Sequence, residues 1–334
     1  MNLLEVDREG NLWYATTSGS IALRPRESDT TIIFNSEIQG RVSGFAETSD
    51  GIWISTYKNG IYRYIDKKIL KVPLPNKLNT AVITAIYADR QQQIWLGTDV
   101  GLFAQIDQEF QFMHSFHVDN KGLGIYSICE EKEGSIWLGT TKGAFRYRDG
   151  VCSPINSNHG LTDNIIYKIH RDREGSLWLG SFGGGVFKSL GDLFTHIGKG
   201  QGVSYDYISS ITKDRNGAYW FGSYGGGVYK VKIPGADGPM SVSNIDQEQG
   251  LSNDFTYDLA TDRNGDIWIA TNYGLNYYRQ GKITSYHEQD GLPSEHIYSV
   301  RNGADGNVYA GTSNGFVKIE PGSNVKFTNY KLQG

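Results

Sequence analysis

The sequence predicts an all-β fold, a single β-propeller of four-stranded antiparallel blades, with eight blades favoured and seven as the alternative. Three observations carry this. An aromatic residue returns at a near-constant interval, at Trp13, Trp53, Trp95, Trp137, Trp178, Trp220 and Trp268, with steps of 40, 42, 42, 41, 42 and 48 residues, and a further 41 reaches Tyr309. Each is followed by a hydrophobic residue, a small residue and Thr or Ser, as in Trp95-Leu96-Gly97-Thr98 and Trp268-Ile269-Ala270-Thr271. Glycine is abundant (42) and proline scarce (8), as many tight turns require. A fixed period of this size marks one supersecondary unit repeated, and at this length the unit is a propeller blade.

Each element of the blade follows from its residues. The repeat opens on a hydrophobic first strand. A turn follows, with Asp six residues before the Trp and Gly three before, as in Asp172-Arg173-Glu174-Gly175 and Asp214-Arg215-Asn216-Gly217. Asp caps such a turn through its side chain, and Gly accepts positive φ. Repeat two has a shorter turn, Thr48-Ser49-Asp50-Gly51, and repeat three has Gln92 in the Gly position. In the Trp strand, alternation places the Trp and the small residue on one face and the hydrophobic residue and the Thr on the other. Both faces pack on neighbouring blades, and the small residue suits a close approach. A third strand reads Gly185-Val186-Phe187 or Gly227-Val228-Tyr229, and a weaker fourth follows, as in Ile283-Thr284-Ser285-Tyr286. A Gly-Leu-type turn then enters the next blade. From Leu161, Val203, Leu251 and Leu292 to the next repeat aromatic is 17 residues each time.

Composition excludes several classes. The 334 residues carry a net charge of −4, which disfavours a nucleic-acid partner. No apolar run is long enough to span a bilayer, so no membrane contact is expected of this stretch. The start, with Leu3, Leu4 and Val6, reads as a propeller strand and not a signal peptide, so the chain is either cytoplasmic or a piece of something larger. Cys129 falls in a first strand and Cys152 in an outer one, and they read as two packed thiols. His114 and His117 lie three apart on a strand and point to opposite faces, which argues against a shared metal. Neither a metal site nor a cofactor is expected.

The succession of Gly-Leu, an Ile-rich strand, Asp-x-x-Gly-x-Leu-Trp-Leu-Gly-Thr and Gly-Gly-Val-Phe resembles the two-component regulator propeller repeat. The resemblance is strongest from Gly122 to Gly315. It implies the extracytoplasmic, periplasmic sensor of a membrane-bound bacterial signalling protein. A three-Tyr domain, a transmembrane helix and a histidine kinase or diguanylate cyclase output in the same full-length chain would then follow, along with a homodimer. The family members understood best respond to oligosaccharides. On this reading residues 1–320 are the propeller, and residues 321–334 are its last outer strand or the start of a three-Tyr-type domain.

Propeller geometry places the loop after the Trp strand and the blade-entry loop on one face, and loops on a rigid scaffold carry binding. The expected ligand residues there are Arg41, Tyr57, Phe182, Tyr205, Asp206, Tyr224, Asp254, Tyr273 and His296. Aromatic faces beside hydroxyl-binding Asp, Asn and Arg suit a small or oligomeric ligand such as an oligosaccharide. They also suit a peptide. Asp163, Asn253 and Asp254 double as turn caps, and the repeat tryptophans are structural. No catalytic constellation is expected. The alternatives are a propeller enzyme, a lyase with His296 as base or a glycoside-active enzyme, and a protein-interaction scaffold.

Overall fold

The computed structural model describes residues 3–331 apart from 17–18, 29, 35–36, 119–120, 123, 162–164, 173, 191–192, 206, 234–239 and 323. The fold is all-β, a β-propeller of eight four-stranded blades, each an antiparallel meander with its strands paired in chain order. The blades span residues 3–34, 42–71, 83–114, 125–155, 166–197, 208–245, 256–286 and 297–330. They divide into two compact units, residues 1–34 with 197–334 and residues 35–196. The first unit holds blades 1, 6, 7 and 8, and the second holds blades 2 to 5. A small hairpin, His117–Val118 with Lys121–Gly122, lies between blades 3 and 4. Lys326–Tyr330 pairs with Gly315–Glu320 as the fourth strand of blade 8.

Blade 1 has four strands of its own, and within its unit its first strand packs on blade 8. The Tyr14 hydroxyl donates to the Thr312 carbonyl at 2.9 Å. The seven-bladed alternative therefore falls. Asp258, Arg301 and Glu5 add a polar link through the first strands of blades 7, 8 and 1. Arg301 donates through Nη1 to Asp258 and through Nε to Glu5 at 3.4 Å. Asp258 also accepts from Ser210 Oγ of blade 6 at 3.0 Å.

The Trp strands are buried almost throughout, as two packed faces demand. Within the two units, Trp53, Trp95, Trp137, Trp220 and Trp268 lie on the following blade. Trp220 packs among Leu259, Ile267 and Ile269, and Trp268 among Val300, Val308 and Ala310. The small residue after it sits where blades nearly touch. A Cβ on Gly139 would come within 2.7 Å of the Ile166 carbonyl oxygen.

The turn before the Trp does more than turn. Its Asp caps the turn with one carboxylate oxygen and accepts the indole N–H with the other, at 2.8 Å in Asp89–Trp95 and 2.9 Å in Asp172–Trp178 and Asp214–Trp220. Thr48 Oγ1 takes this role for Trp53 at 3.0 Å and Glu131 for Trp137 at 3.1 Å. In blade 8, Asp305 accepts from the Tyr309 hydroxyl at 2.7 Å, so a phenol replaces the indole. Gln92 occupies its Gly position at φ 68°, a left-handed conformation that costs a non-glycine residue about 1 kcal/mol. Both cysteines are free thiols, pushed up by burial to about 11 for Cys129 and about 12 for Cys152.

His170, on the first strand of blade 5, is pushed below its ordinary range by burial and then by Lys168, with Asp172 opposing. The unfolded chain takes up this proton near pH ~6.5, whereas the folded state does so only at lower pH. Stability should therefore fall as pH drops from about 6.5 toward the lowered folded-state value. Melting temperatures at neutral and mildly acidic pH should differ less for His170→Gln than for the parent. An equal difference would rule out this contribution.

Candidate ligand-binding face

The entry loop and the loop after the Trp strand are tied together by the same backbone bond in blade after blade. Tyr57 N donates to Arg41 O at 2.9 Å, Phe182 N to Ile165 O at 2.9 Å, Tyr224 N to Tyr207 O at 2.9 Å and Asn272 N to Phe255 O at 3.0 Å. The two loop sets expected to share a face therefore do so within each blade.

At the same end, blades 2 to 8 each carry a β-bulge in the first strand. The residue left out of the ladder is Ser43, Thr84, Tyr126, Tyr167, Ser209, Tyr257 or Tyr298. A bulge frees one residue from pairing and re-aims its side chain. Where that residue is Ser or Thr, the hydroxyl is spent on the frame. Thr84 Oγ1 donates to Ile125 O at 2.6 Å, and Ser209 Oγ to Thr256 O at 2.6 Å. Where it is Tyr, the ring joins the loop aromatics.

In the first unit this makes a continuous aromatic row over blades 6 to 8. Tyr224 lies 5.2 Å from Tyr207, 5.0 Å from Phe255 and 5.6 Å from Tyr257, centroid to centroid. Tyr257 lies 5.6 Å from Tyr298, and Tyr298 lies 6.5 Å from His296. Such spacings suit edge-to-face and offset packing. Tyr224 and Phe255 are still 40% and 41% exposed, so the row presents ring surface to solvent. The Tyr257 hydroxyl donates to Asn272 Oδ1 at 3.0 Å. Burial, and then a hydrogen bond with Tyr224, pushes its phenol above the ordinary range, so it keeps its proton at neutral pH. His296 Nδ1 lies 2.7 Å from the Asn272 carbonyl oxygen. A carbonyl only accepts, so Nδ1 carries the proton and Nε2 is left as an acceptor.

The second unit repeats the arrangement on a smaller scale. Tyr126 and Tyr167 stack in parallel at 4.4 Å and 6°, and Phe182 lies 6.3 Å from Tyr167. Burial and the neighbouring Tyr167 raise the Tyr126 phenol. The Arg41 guanidinium sits over the Tyr57 ring at 4.8 Å.

The expected site residues thus fall into several places. Tyr224 and His296 join one row, Phe182 joins the second cluster, and Arg41 and Tyr57 pair with each other. Tyr205 is exposed beside Gly225 and Gly226, its backbone N–H bonded to Tyr229 Oη at 2.9 Å. Tyr273 stands apart, 5.2 Å from His287, which in turn pairs with Glu295 at 2.9 Å. Asp254 is held as a turn cap, with Oδ1 accepting from Gln247 N at 2.9 Å, and Asn253 Oδ1 accepts from Phe255 N at 2.9 Å. Asp206, like Asp163 and Asn164, lies outside the described residues.

Sequence reasoning missed Phe255 and the four bulged tyrosines. A signal for the tyrosines was present: Tyr126, Tyr167, Tyr257 and Tyr298 each precede a repeat aromatic by 11 residues. Among the described residues no group of three or more His, Cys, Asp or Glu could hold a metal ion. Among them, too, no helix is long and apolar enough to cross a membrane.

Fold and face together define a β-propeller with an aromatic loop surface, an architecture that hosts unrelated functions. Residues 77–100, 113–142, 160–183, 202–225 and 250–273 match the model of the two component regulator propeller. The chain thus carries five copies of that repeat. No curated protein matches the sequence. Among solved structures, one similar to it is the extracellular domain of BT3049 from B. thetaiotaomicron, described as a hybrid two component system. The TM-score is 0.64 at 22% identity, over 94% of this chain and 50% of that one. The chain thus spans about half of that domain. Virginiamycin B lyase from Staphylococcus aureus is similar at a TM-score of 0.59 and 16% identity, over 81% of this chain and 92% of that one. YCF48 bound to D1 peptide gives a TM-score of 0.59 at 12% identity, over 85% and 92%. At these identities the likenesses concern the fold.

Proposed function

We propose that this chain is the non-catalytic, ligand-sensing propeller of a membrane-bound bacterial signalling receptor, of two-component or diguanylate cyclase type. It works outside the cytoplasm, in the periplasm, and passes a binding event to an output domain of the same full-length chain, in a homodimer. The observation that carries this is the aromatic row Tyr207, Tyr224, Tyr257, Tyr298 and His296. It offers ring faces, phenol hydroxyls and the Asn272 amide on a rigid frame. That chemistry suits a small or oligomeric ligand with apolar faces and hydroxyl groups, an oligosaccharide above all. The five copies of the two component regulator propeller repeat and the fold shared with an extracellular domain support the sensing role.

The test is a thermal-shift screen against oligosaccharides, amino acids and short peptides, with calorimetry on each hit. A ligand that binds only the folded state adds about 2.7 kcal/mol at a hundredfold excess over its Kd. Tyr224→Ala should weaken binding at least about tenfold, and Tyr257→Phe should weaken it less. Binding unchanged in both variants would move the site elsewhere.

A lyase is the second reading. It rests on His296, whose Nε2 is left as an acceptor on the same face. Conversion of a bound ligand that His296→Ala abolishes would establish it over the sensor.

A further inference from the structure

We propose that a cleft at the turn end of blades 6 and 7, opposite the tyrosine-bearing end, binds a compact organic anion. The ligand would be a single six-membered ring or a body of that size carrying one carboxylate, sulfate or phosphate group.

The cleft encloses about 270 Å³, less than drug-sized ligands fill. Its wall is the pair Trp220 and Tyr278, set edge to face at 4.7 Å. Lys230 lies against both rings, with Nζ 4.8 Å from the Trp220 centroid and 5.2 Å from that of Tyr278. A cation over the repeat aromatic recurs from blade to blade, and in three other blades its charge is met. Arg146 over Trp137 pairs with Glu131 at 3.0 Å, and Arg63 over Trp53 pairs with Asp50 at 3.8 Å. Lys318, opposite Tyr309, pairs with Glu320 at 3.3 Å. Among the described residues Lys230 has no carboxylate partner, and neither has Lys188, 5.2 Å from the Trp178 centroid.

The two carboxylates that line the cleft are engaged elsewhere. Asp214 accepts from the Trp220 indole and from the backbone of Asn216 and Ala218. Asp266 accepts from the Tyr277 hydroxyl at 2.8 Å and lies 3.6 Å from Arg279 Nε. Arg215 supplies a second cation. Its chain lies over Gly265, where a Cβ would come within 2.6 Å of Arg215 Cβ, and its guanidinium is anchored on the Arg263 carbonyl. The side-chain amides of Asn216, Asn264 and Gln280 complete the lining and make no hydrogen bond among the described residues. An ammonium held against aromatic rings, beside amide donors free to bond, matches an anionic group on a flat, hydroxylated body.

Glucuronate, glucose 6-sulfate, glucose 6-phosphate and glucose are the probes, titrated by calorimetry at low and high salt. At least one anion should bind saturably, with glucose at least about tenfold weaker and affinity lower at high salt. The preferred anion identifies the charged group. Lys230→Gln should weaken the anion at least about tenfold, and Asn264→Asp should weaken it by repulsion. Tyr224→Ala should leave it unchanged, which separates this cleft from the aromatic face. Equal binding of glucose and the anions, full affinity in a folded Lys230→Gln, or no anion binding at all would overturn the proposal.

Discussion

Trp220→Ala should lower stability by about 3–5 kcal/mol, the cost of emptying a large aromatic site from a packed interior. Trp220 is 1% exposed and lies against Leu259, Ile267 and Ile269 of the next blade. The loss is therefore felt between blades as well as within one. It also removes the donor bonded to Asp214, leaving a buried carboxylate oxygen without its indole. The melting temperature should fall by about 4–7 °C, as the unfolding entropy of a chain of this length dictates. Asp214→Asn should produce a smaller fall, because the amide oxygen still caps the turn while its NH₂ cannot accept the indole proton. A double variant no worse than Trp220→Ala alone would show that the two act as one unit. A melting temperature unchanged in Trp220→Ala would refute the packing role.

Arg301→Met should cost about 2 kcal/mol. Breaking a fully buried ion pair costs about 3–5 kcal/mol, but the Arg301 side chain is 31% exposed, so solvent recovers part of that. The remaining cost falls on Asp258 and Glu5, which lose their shared cation. Because Glu5 is on blade 1 and Arg301 on blade 8, the variant should expose the first blade to protease before the rest. A partly buried pair is weakly screened, so the effect should persist in added salt. Parent-like protection of residues 3–34 in Arg301→Met would show that apolar packing alone holds blade 1 in place.

The frame was legible because each of its rules lies within one short segment. Asp172, Gly175 and Trp178 sit at fixed offsets, and their turn, strand and burial follow from local chemistry. The second job of that Asp, as acceptor for the indole six residues on, was hidden because it depends on where the Trp side chain turns. The aromatic face was half legible. Tyr224 and Phe182 stand in loops and announce themselves. Tyr257 and Tyr298 stand inside apparent strands, where alternation would assign them to a packed face. Only the register between first and second strands, Thr256 opposite Thr271 but Asp258 opposite Ala270, shows that Tyr257 has left the ladder. Register belongs to a pair of strands and is not written in either alone. Asp254 illustrates the converse, a polar loop residue that looked available and is held by Gln247.

The bulge separates two demands that a folded chain usually makes of the same residue. A side chain in a regular strand must suit its cross-strand partner and the blade behind it, so altering it for a new ligand disturbs the sheet. A residue lifted out of the ladder answers mainly to what lies above it. Ser43, Thr84 and Ser209 sit in the same kind of socket as Tyr126, Tyr167, Tyr257 and Tyr298. On the sensing reading, these positions, one in each of blades 2 to 8, are where specificity could be revised singly without renegotiating the architecture beneath.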